Sequence, residues 1–337
     1  MPIISNQHYQ PPWWAKSAHL NTVLPNRLRF LRHIQYERFT IDTPDGDFLD
    51  IDSSTGTNRK EAAILIHGLE GSAQSTYMKG MTETLSDSMD VFCLNLRSCS
   101  GRPNNTVQSY HSGKTDDLAT LVAHLIEEGE YESIHLVGFS LGANLILLWC
   151  GEMGHQLPSE VKSAVAVSAP CDLRTSVDCL HKRQNIVYLQ RFMRTMKVKI
   201  QQKEPLLKKE GIRVDFHTIN SFHDFDNQYT APAHGFDSAL DYYEKCSSRY
   251  VLNEIQIPAL IINAQDDTFL SPDCYPYSIC ESHDQVHLLT PQFGGHVGFA
   301  TSSRLREKHW HEEMVQKFIA ASLQSNLPQY KSMPAKS

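Results

Sequence analysis

Runs of apolar residues alternate along the chain with segments in which apolar positions recur every three or four residues. Short apolar runs are typical of strands that are buried on both faces of a parallel sheet. They cover residues 62–66, 90–96, 134–139, 164–169, 257–263 and 285–290. Helical spacing is found at 76–86, 118–126, 146–149 and 304–323. The repeated order of strand and helix predicts an α/β fold with a mostly parallel central sheet and helices on both faces.

The first part of the chain departs from this alternation. Residues 36–43 and 48–53 alternate apolar and polar positions on either side of a Pro-Asp-Gly-Asp turn, which predicts an antiparallel hairpin. Before the hairpin, residues 1–35 are rich in proline and aromatic residues and have no clear period. We expect this segment to wrap the surface of the domain, with Trp13 and Trp14 as its anchors.

A second change of pattern follows residue 170. From 171 to about 250 the sequence shows helical spacing without buried strands, and the strand pattern resumes afterwards. This pattern predicts a mobile helical cover that is inserted between two strands of the core. The predicted organisation is a wrapping segment (1–35), the first part of the core (36–170), an inserted helical cap (171–250), the second part of the core (251–325) and a flexible tail (326–337).

A candidate nucleophile lies at Gly138-Phe139-Ser140-Leu141-Gly142, where a predicted strand turns directly into a helix. A serine that stands clear of a strand end has a strained backbone, so the residues two before and two after it must be small. The two glycines meet that need, as in a nucleophile elbow. The following helix places free N–H groups near the serine, which favours acyl transfer. Taken alone, the motif also fits an ordinary strand-to-helix turn.

Serine chemistry needs a base and a carboxylate that orients the base. His296 lies in a glycine-rich loop after the last predicted strand, and Asp266 and Asp267 follow the strand before it. Because candidates that follow parallel strands gather at one edge of the sheet, these groups can meet Ser140 there. Neighbouring residues in a turn point in different directions, so only one aspartate can contact His296. We choose Asp267 for its spacing from the strand end and interpret Asp266 as a loop or cap residue.

Two backbone amides are candidates for stabilising an oxyanion. Leu141 N–H opens the helix after Ser140, and Leu69 N–H lies in a glycine-flanked loop at the end of a central strand. His67, at the start of that loop, could be mistaken for the catalytic base. Its place directly after a buried strand favours a structural hydrogen bond instead.

Charge and cysteine content restrict the class of protein. The 337 residues are 41% hydrophobic and 20% charged, with a formal net charge of −7. Because nucleic acid requires a concentrated basic face, we do not expect it as a partner. The basic stretch 197–209 is interpreted as a solvated helix face. The eight cysteines form no Cys-x-x-Cys pair, and several lie in apolar segments, which favours a reducing compartment.

Signals for targeting and for metal binding are weak. The sequence has neither the pattern of a signal peptide nor an apolar run long enough to span a membrane, so we expect a cytoplasmic protein, with peripheral membrane contact left open. His223, Asp224, Asp226 and His234 are residue types that bind metals, but their irregular spacing favours hydrogen-bonded loop residues. We therefore predict no metal site and no cofactor.

Several motifs together resemble one family. They are Pro11-Pro12-Trp13, 19–25, 67–71, 95–104, 110–113, 138–144, 263–267 and 294–299. These motifs extend over nearly the whole chain and resemble the YheT-type α/β-hydrolases, relatives of the eukaryotic abhydrolase-domain lipases and of yeast ethyl-ester synthases. The resemblance implies an α/β-hydrolase fold and hydrolysis of carboxylic esters through an acyl-enzyme. Ser140, Asp267 and His296 match the positions of the family's catalytic triad. Ser98 and Arg102 depart from its pattern in a loop that faces the substrate.

The favoured function is that of a serine carboxylesterase that acts on short- to medium-chain esters, with a small-molecule or lipid acyl ester as substrate. Acyl transfer to an alcohol and phospholipid hydrolysis use the same triad and stay open as alternatives. A non-catalytic binding protein on a hydrolase fold is a third alternative, which the complete set of Ser140, Asp267 and His296 disfavours. The sequence leaves the oligomeric state open.

Overall fold

The central sheet forms where the apolar runs predict it. In a computed structural model that describes residues 3–4, 9–31, 34–58, 60–129, 131–301 and 307–323, nine strands make one sheet. The strands are β1 (Ile3–Ile4), β2 (Glu37–Asp42), β3 (Phe48–Ser54), β4 (Glu61–Ile66), β5 (Asp90–Asn95), β6 (Ser133–Phe139), β7 (Val161–Val167), β8 (Ala259–Ile262) and β9 (Val286–Leu289). Their spatial order is β1-β9-β8-β7-β6-β4-β5-β3-β2. In this spatial order all neighbouring strands from β1 through β9, β8, β7, β6 and β4 to β5 are parallel. At the other edge, β3 pairs antiparallel with both β5 and β2. The predicted mostly parallel α/β sheet is confirmed.

Helices cover both faces of this sheet, as predicted. The α-helices of the described residues are α1 (Ala18–Leu28), α2 (Thr76–Leu85), α3 (Thr115–Glu127), α4 (Leu141–Met153), α5 (Leu173–Leu180), α6 (Ile186–Gln202), α7 (Glu204–Lys209), α8 (Phe222–Phe225), α9 (Ala231–His234), α10 (Ala239–Cys246), α11 (Tyr277–Ser282) and α12 (Trp310–Leu323). Successive side chains of a strand point to opposite faces. Ile64 and Ile66 of β4 therefore pack in the apolar cluster of α3 and α4, whereas Ala63 and Leu65 pack in that of α2 and α12.

The amino-terminal region confirms one expectation and corrects another. β2 and β3 form the predicted antiparallel hairpin, with Glu37 opposite Ser53 and Asp42 opposite Phe48. The segment before it contains the helix α1, which the sequence pattern did not predict. α1 carries little apolar periodicity because the polar side chain of Asn21 is buried there. Trp13 is 82% exposed, so the prediction that it anchors the segment is wrong.

The stretch between β7 and β8, which the structure describes completely, contains α5 to α10 and a π-helix at Asp226–Thr230 but no strand. Its apolar side chains form a cluster of their own, in which Leu189 and Met193 of α6 meet Phe222 of α8 and Tyr243 of α10. The division of the chain into core and cap stays a prediction. The predicted tail, 326–337, lies outside the described residues.

Two further features concern the chain as a whole. All eight cysteines are buried as free thiols. Within the residues that the structure covers, no helix combines the length and the apolar character that crossing a bilayer requires.

Candidate active site

Ser140 occupies the sharp turn between β6 and α4. Its φ of 53° lies in the left-handed region, which non-glycine residues rarely adopt. A Cβ on Gly138 would lie 2.3 Å from Gly142 O, and a Cβ on Gly142 would lie 2.4 Å from Ile66 O. Both positions therefore require glycine, because strand, turn and helix pack backbone against backbone. This is the geometry that the spacing of the motif predicts for a nucleophile elbow.

Ser140, His296 and Asp267 form one continuous line of hydrogen bonds. Ser140 Oγ lies 2.8 Å from His296 Nε2, and His296 Nδ1 lies 2.8 Å from Asp267 Oδ2. The neutral imidazole satisfies both contacts when Nδ1–H donates to the carboxylate and Nε2 accepts from the serine hydroxyl. The Asp267 side chain is fully buried, and that of His296 is 11% exposed. The arrangement can take a proton from Ser140 and stabilise the resulting imidazolium. The catalytic roles themselves stay predictions.

The two neighbouring aspartates have different partners. Asp267 Oδ2 meets His296, and Asp267 Oδ1 accepts a hydrogen bond from Phe269 N–H at 3.0 Å. Asp266 Oδ1 instead accepts from Gly295 N–H at 2.9 Å, and burial raises the pKa of Asp266 to about 6. Asp266 thus holds the backbone of the histidine loop, whereas Asp267 contacts the imidazole.

The loop that carries His296 is strained and is held by the amino-terminal segment. Val297 has a φ of 58°, an outlier for a β-branched residue, and Phe299 has a φ of 49°. His296 N–H donates to Thr22 Oγ1 at 2.8 Å. Ala300 N–H donates to Asn21 Oδ1 at 3.2 Å. Sequence reasoning assigned no role to Asn21 or Thr22, although both lie in one of the motifs that carry the family resemblance.

The two candidate oxyanion residues share a cavity with Ser140. Leu69 and Leu141 both line the cavity that contains Ser140, and neither N–H has a hydrogen-bond partner among the described residues. The amides on either side of Leu69 do have partners: Gly68 N–H donates to Tyr77 Oη and Glu70 N–H donates to Tyr110 Oη, each at 3.0 Å. Tyr77 and Tyr110 therefore fix the loop and leave one amide free between them.

His67 makes two backbone hydrogen bonds that define its tautomer. Its Nδ1–H donates to Gly68 O at 2.7 Å, and its Nε2 accepts from Leu96 N–H at 3.1 Å. Burial lowers the pKa of His67 to about 4, so the ring is neutral at pH 7. These bonds join the ends of β4 and β5, which is the structural role predicted for His67.

A cavity with about 980 Å³ of empty space, counting its mouth, opens beside Ser140. Much of its wall is apolar and comes from helices between β7 and β8, including Leu173, Val177, Met196, Ile200, Phe222 and Phe225. Polar groups line another part, among them Glu70, Lys199 and Asp226.

The interpretation of residues 197–209 as a solvated helix face is wrong for Lys199 and Lys203, which line the cavity. Lys203 is 3% exposed, and burial lowers its pKa to about 7. Its Nζ donates to Asn104 Oδ1 at 2.6 Å and to the carbonyl oxygens of Thr106 and Gln108, both at 2.9 Å. Lys199, one helical turn earlier, also points into the cavity. Periodicity alone cannot separate such lysines from exposed ones, because a long aliphatic side chain can lie along an apolar face.

The loop residues that depart from the family pattern have separate positions. Ser98 lines the cavity with a φ of 63°, and its Oγ–H donates to Asn104 Oδ1 at 2.5 Å. Arg102 instead pairs with Asp50, its Nε lying 2.7 Å from Asp50 Oδ2. Only Ser98 of the two therefore faces the cavity.

Among the residues considered as metal ligands, the two aspartates accept hydrogen bonds from different groups. Asp224 Oδ2 accepts from Ser221 N–H at 3.0 Å, while Asp226 accepts from the hydroxyls of Thr230 and Tyr243, both at 2.6 Å. In the part of the chain that is described, no group of three or more His, Cys, Asp or Glu side chains has the arrangement of a metal site.

Comparison with known proteins gives the family of this chain. A family model described as the alpha/beta hydrolase fold matches residues 63–205. The Putative esterase YheT of Escherichia coli (strain K12) is 31% identical over 332 residues, which is 95% of each chain. The chain belongs to the YheT-type α/β-hydrolase family.

Other members and structural neighbours agree with this assignment. Phospholipase ABHD3 of Homo sapiens is 24% identical over 334 residues, which covers 96% of this chain and 81% of that protein. The solved structure of the Pyrococcus furiosus esterase Pf2001 superimposes with a TM-score of 0.53 at 17% identity, over 87% of this chain and 93% of that one. The identity to Pf2001 supports the fold alone. This α/β-hydrolase therefore belongs to a family of the esterase and lipase type.

Proposed function

We propose that this α/β-hydrolase is a serine carboxylesterase that hydrolyses short- to medium-chain carboxylic esters through an acyl-enzyme on Ser140. The observation that carries the proposal is the pair of 2.8 Å contacts that join Ser140 Oγ to His296 and His296 to Asp267. In this mechanism His296 Nε2 takes the hydroxyl proton while Ser140 Oγ attacks the ester carbonyl. The Asp267 carboxylate keeps Nδ1 protonated and stabilises the imidazolium.

The tetrahedral oxyanion is stabilised by Leu69 N–H and Leu141 N–H. Support comes from their unpartnered amides, from the cavity that both residues share with Ser140, and from the start of α4 at Leu141, where the helix dipole is positive. Collapse of the intermediate expels the alcohol, which takes the proton from His296. Water, deprotonated by the same imidazole, then attacks the acyl-enzyme and releases the acid.

The test is hydrolysis of a p-nitrophenyl ester series from acetate to dodecanoate by the wild type, Ser140→Ala and the matched control Ser159→Ala. Ser159 is a serine of the loop before β7 whose Oγ contacts only Glu160. We expect Ser140→Ala to lower kcat at least about 10³-fold, with a residual rate from the oxyanion amides, while Ser159→Ala keeps the wild-type rate. The preferred acyl length reports the usable depth of the cavity.

A fluorophosphonate label read by mass spectrometry makes the test independent of substrate choice. Wild type and Ser159→Ala should gain one adduct on Ser140, and Ser140→Ala should gain none. A folded wild type that neither hydrolyses any ester nor takes the label would refute the esterase proposal.

Phospholipid is the second substrate class worth testing, because a relative named a phospholipase aligns with 96% of the chain. A short-chain phosphatidylcholine replaces the p-nitrophenyl ester in the same three proteins. Loss of fatty-acid release in Ser140→Ala alone would extend the esterase to phospholipids. Added ethanol in the first assay measures acyl transfer, because ethyl ester then forms in place of the free acid.

A further inference from the structure

We propose that the ion pair between Lys199 and Glu70 is a positioning device of the active site: it connects the helical cover to the oxyanion loop and neutralises a carboxylate beside the developing oxyanion. The inference rests on the proposed function and concerns how the same site stabilises its transition state. Lys199 lies in the last turn of α6, and Glu70 follows the candidate oxyanion residue Leu69 directly.

Glu70 is fixed at both its backbone and its side chain. Its φ of 56° places the residue in the left-handed region, a strained conformation for glutamate. Glu70 N–H donates to Tyr110 Oη at 3.0 Å, and the Tyr110 hydroxyl donates to Glu70 Oε1 at 2.7 Å. Because both bonds join the same two residues, they fix the orientation of the peptide between Leu69 and Glu70. The position of the Glu70 carboxylate and that of the neighbouring Leu69 amide are therefore linked.

Lys199 reaches this loop from the other side of the cavity. Its Nζ lies 2.9 Å from Glu70 Oε1 and 3.1 Å from Cys99 Sγ. The side chain of Glu70 is 8% exposed and that of Lys199 is 26% exposed, so the pair is largely shielded from water. Although burial disfavours the charged ammonium, Cys99 and Glu70 together raise the pKa of Lys199. Lys199 is therefore a cation at neutral pH.

The other cations that line the cavity have different partners. Arg97 makes ion pairs with Asp117 at 2.6 Å and Asp45 at 2.7 Å. Lys203 donates to the oxygens of the loop 104–108. In the described part of the chain, Lys199 is thus the cation within ion-pair distance of Glu70.

The charge balance matters because Glu70, Lys199, Leu69 and Ser140 line one cavity. An unpaired carboxylate there would repel the negative oxygen of the tetrahedral intermediate, and repulsion is strong where water is excluded. Substrate carries no such charge before attack. The loss of Lys199 should therefore raise the energy of the transition state more than that of bound substrate, which lowers kcat rather than raising KM.

The experiment compares Lys199→Gln with the double variant Glu70→Gln/Lys199→Gln in the ester assay. We expect Lys199→Gln to lower kcat about tenfold and to change KM less than about threefold. The double variant should recover most of this loss, because it removes the carboxylate that Lys199→Gln leaves unpaired. If Lys199→Gln does not fold, Lys199→Met replaces it, since methionine keeps the apolar stem.

Affinity for an alkylboronic acid supplies a second readout. A boronic acid forms a tetrahedral anion on the serine and therefore mimics the charged intermediate. Lys199→Gln should weaken its binding about tenfold and leave binding of a neutral ether analogue of the ester within about threefold. The matched control is Glu204→Gln/Lys208→Gln, which removes an exposed ion pair of α7 that does not line the cavity.

Two results would overturn the inference in an active wild type: a Lys199→Gln variant with wild-type kcat and boronate affinity, or a double variant as slow as the single one. Absence of ester hydrolysis and of fluorophosphonate labelling in the wild type would instead refute the proposed function. The two failures are thereby distinguishable.

Discussion

The edge of the sheet and the helical cover hold their polar groups in different ways. Ser140 follows β6 directly, while Asp267 and His296 lie in the loops that follow β8 and β9. The polar groups of the cover, Lys199 and Lys203, reach the core through long side chains. Reacting atoms must be held within about 0.5 Å, which backbone turns on strand ends can achieve.

Buried histidines and buried carboxylates respond to acid in opposite ways. In the core, burial lowers the pKa of His67, His135 and His287 to about 4, so these rings are neutral. In the cover, burial raises the pKa of Asp226 to about 6, although the hydroxyls of Thr230 and Tyr243 partly offset it. Burial of these histidines therefore costs stability in acid, whereas burial of Asp226 favours the folded state there.

The largest expected effect separates the two aspartates of the core edge. Asp267→Asn should lower kcat about 10⁴-fold, because an amide favours the wrong tautomer of His296. Asp266→Asn should cost less than about tenfold, since Asp266 contacts only the backbone of the histidine loop. The measurement is steady-state hydrolysis of the best p-nitrophenyl ester. Equal losses in both variants would contradict the assignment of Asp267.

The next effect compares a glycine of the core with one of the cover. Gly142→Ala should lower the free energy of unfolding by about 3 kcal/mol or more, because the new Cβ would meet backbone oxygens of β4 and its loop at 2.4 and 2.7 Å. Gly235→Ala, in the cover, should cost about 1 kcal/mol: its φ is +77° but nothing lies within 4 Å of the new Cβ. Urea unfolding measures both. Similar losses of unfolding free energy in the two variants would show that the backbone around Gly142 shifts to accommodate the new Cβ.

A smaller effect is expected from Asp226, whose raised pKa makes the unfolding free energy fall as the pH rises. Its pKa is raised in the folded state, so folded protein binds the proton more tightly than unfolded protein does. Its contribution to stability is present at pH 4 and is lost as the pH rises through 6. Relative to Asp226→Asn, the wild type should therefore lose about 2 kcal/mol of unfolding free energy between pH 4 and 6.5.

Urea unfolding at several pH values measures this difference, with Asp178→Asn as an exposed control in the cover. The histidines of the core make the absolute stability rise over the same interval, so only the difference between variants isolates Asp226. A difference that does not change with pH, or that matches the control, would rule out the buried carboxylate as its source.

The smallest expected effect concerns substrate choice by the cover. Met196→Trp should narrow the cavity and shift the ratio of kcat/KM values by about tenfold toward shorter acyl chains. Thr195→Trp places the same bulk on the exposed side of α6 and is the matched control. The ester series measures both. An unchanged chain-length profile in Met196→Trp would show that the acyl chain does not pass α6.

The sheet and its edge could be predicted because local signals coincide there. Buried parallel strands require continuous apolar runs, and the turn at Ser140 requires glycine at 138 and 142 for steric reasons. Each predicted strand begins and ends within three residues of an observed one. The order of Ser140, Asp267 and His296 then placed all three candidates at one edge, and the structure brings them into contact.

The helix α1 and its contacts could not be predicted in the same way. α1 buries the polar side chain of Asn21 and contains Pro25, so it has neither the period nor the composition of an ordinary amphipathic helix. The helix supports the site because Asn21 and Thr22 accept hydrogen bonds from the histidine loop, which lies more than 270 residues away along the chain. No local pattern encodes a partner at that distance.

The sequence by itself determined eight of the nine strands that the structure describes, the turn at Ser140 and the family, because these depend on apolar periodicity and on the small size of particular residues. It did not predict the short strand β1. Only the tertiary structure decided that Lys199 pairs with Glu70 and that Lys203 is buried. The physical reason is that a side chain's partner depends on which segments pack together. Burial and charge pairing are properties of that packing, whereas helix and strand periodicity are properties of neighbouring residues.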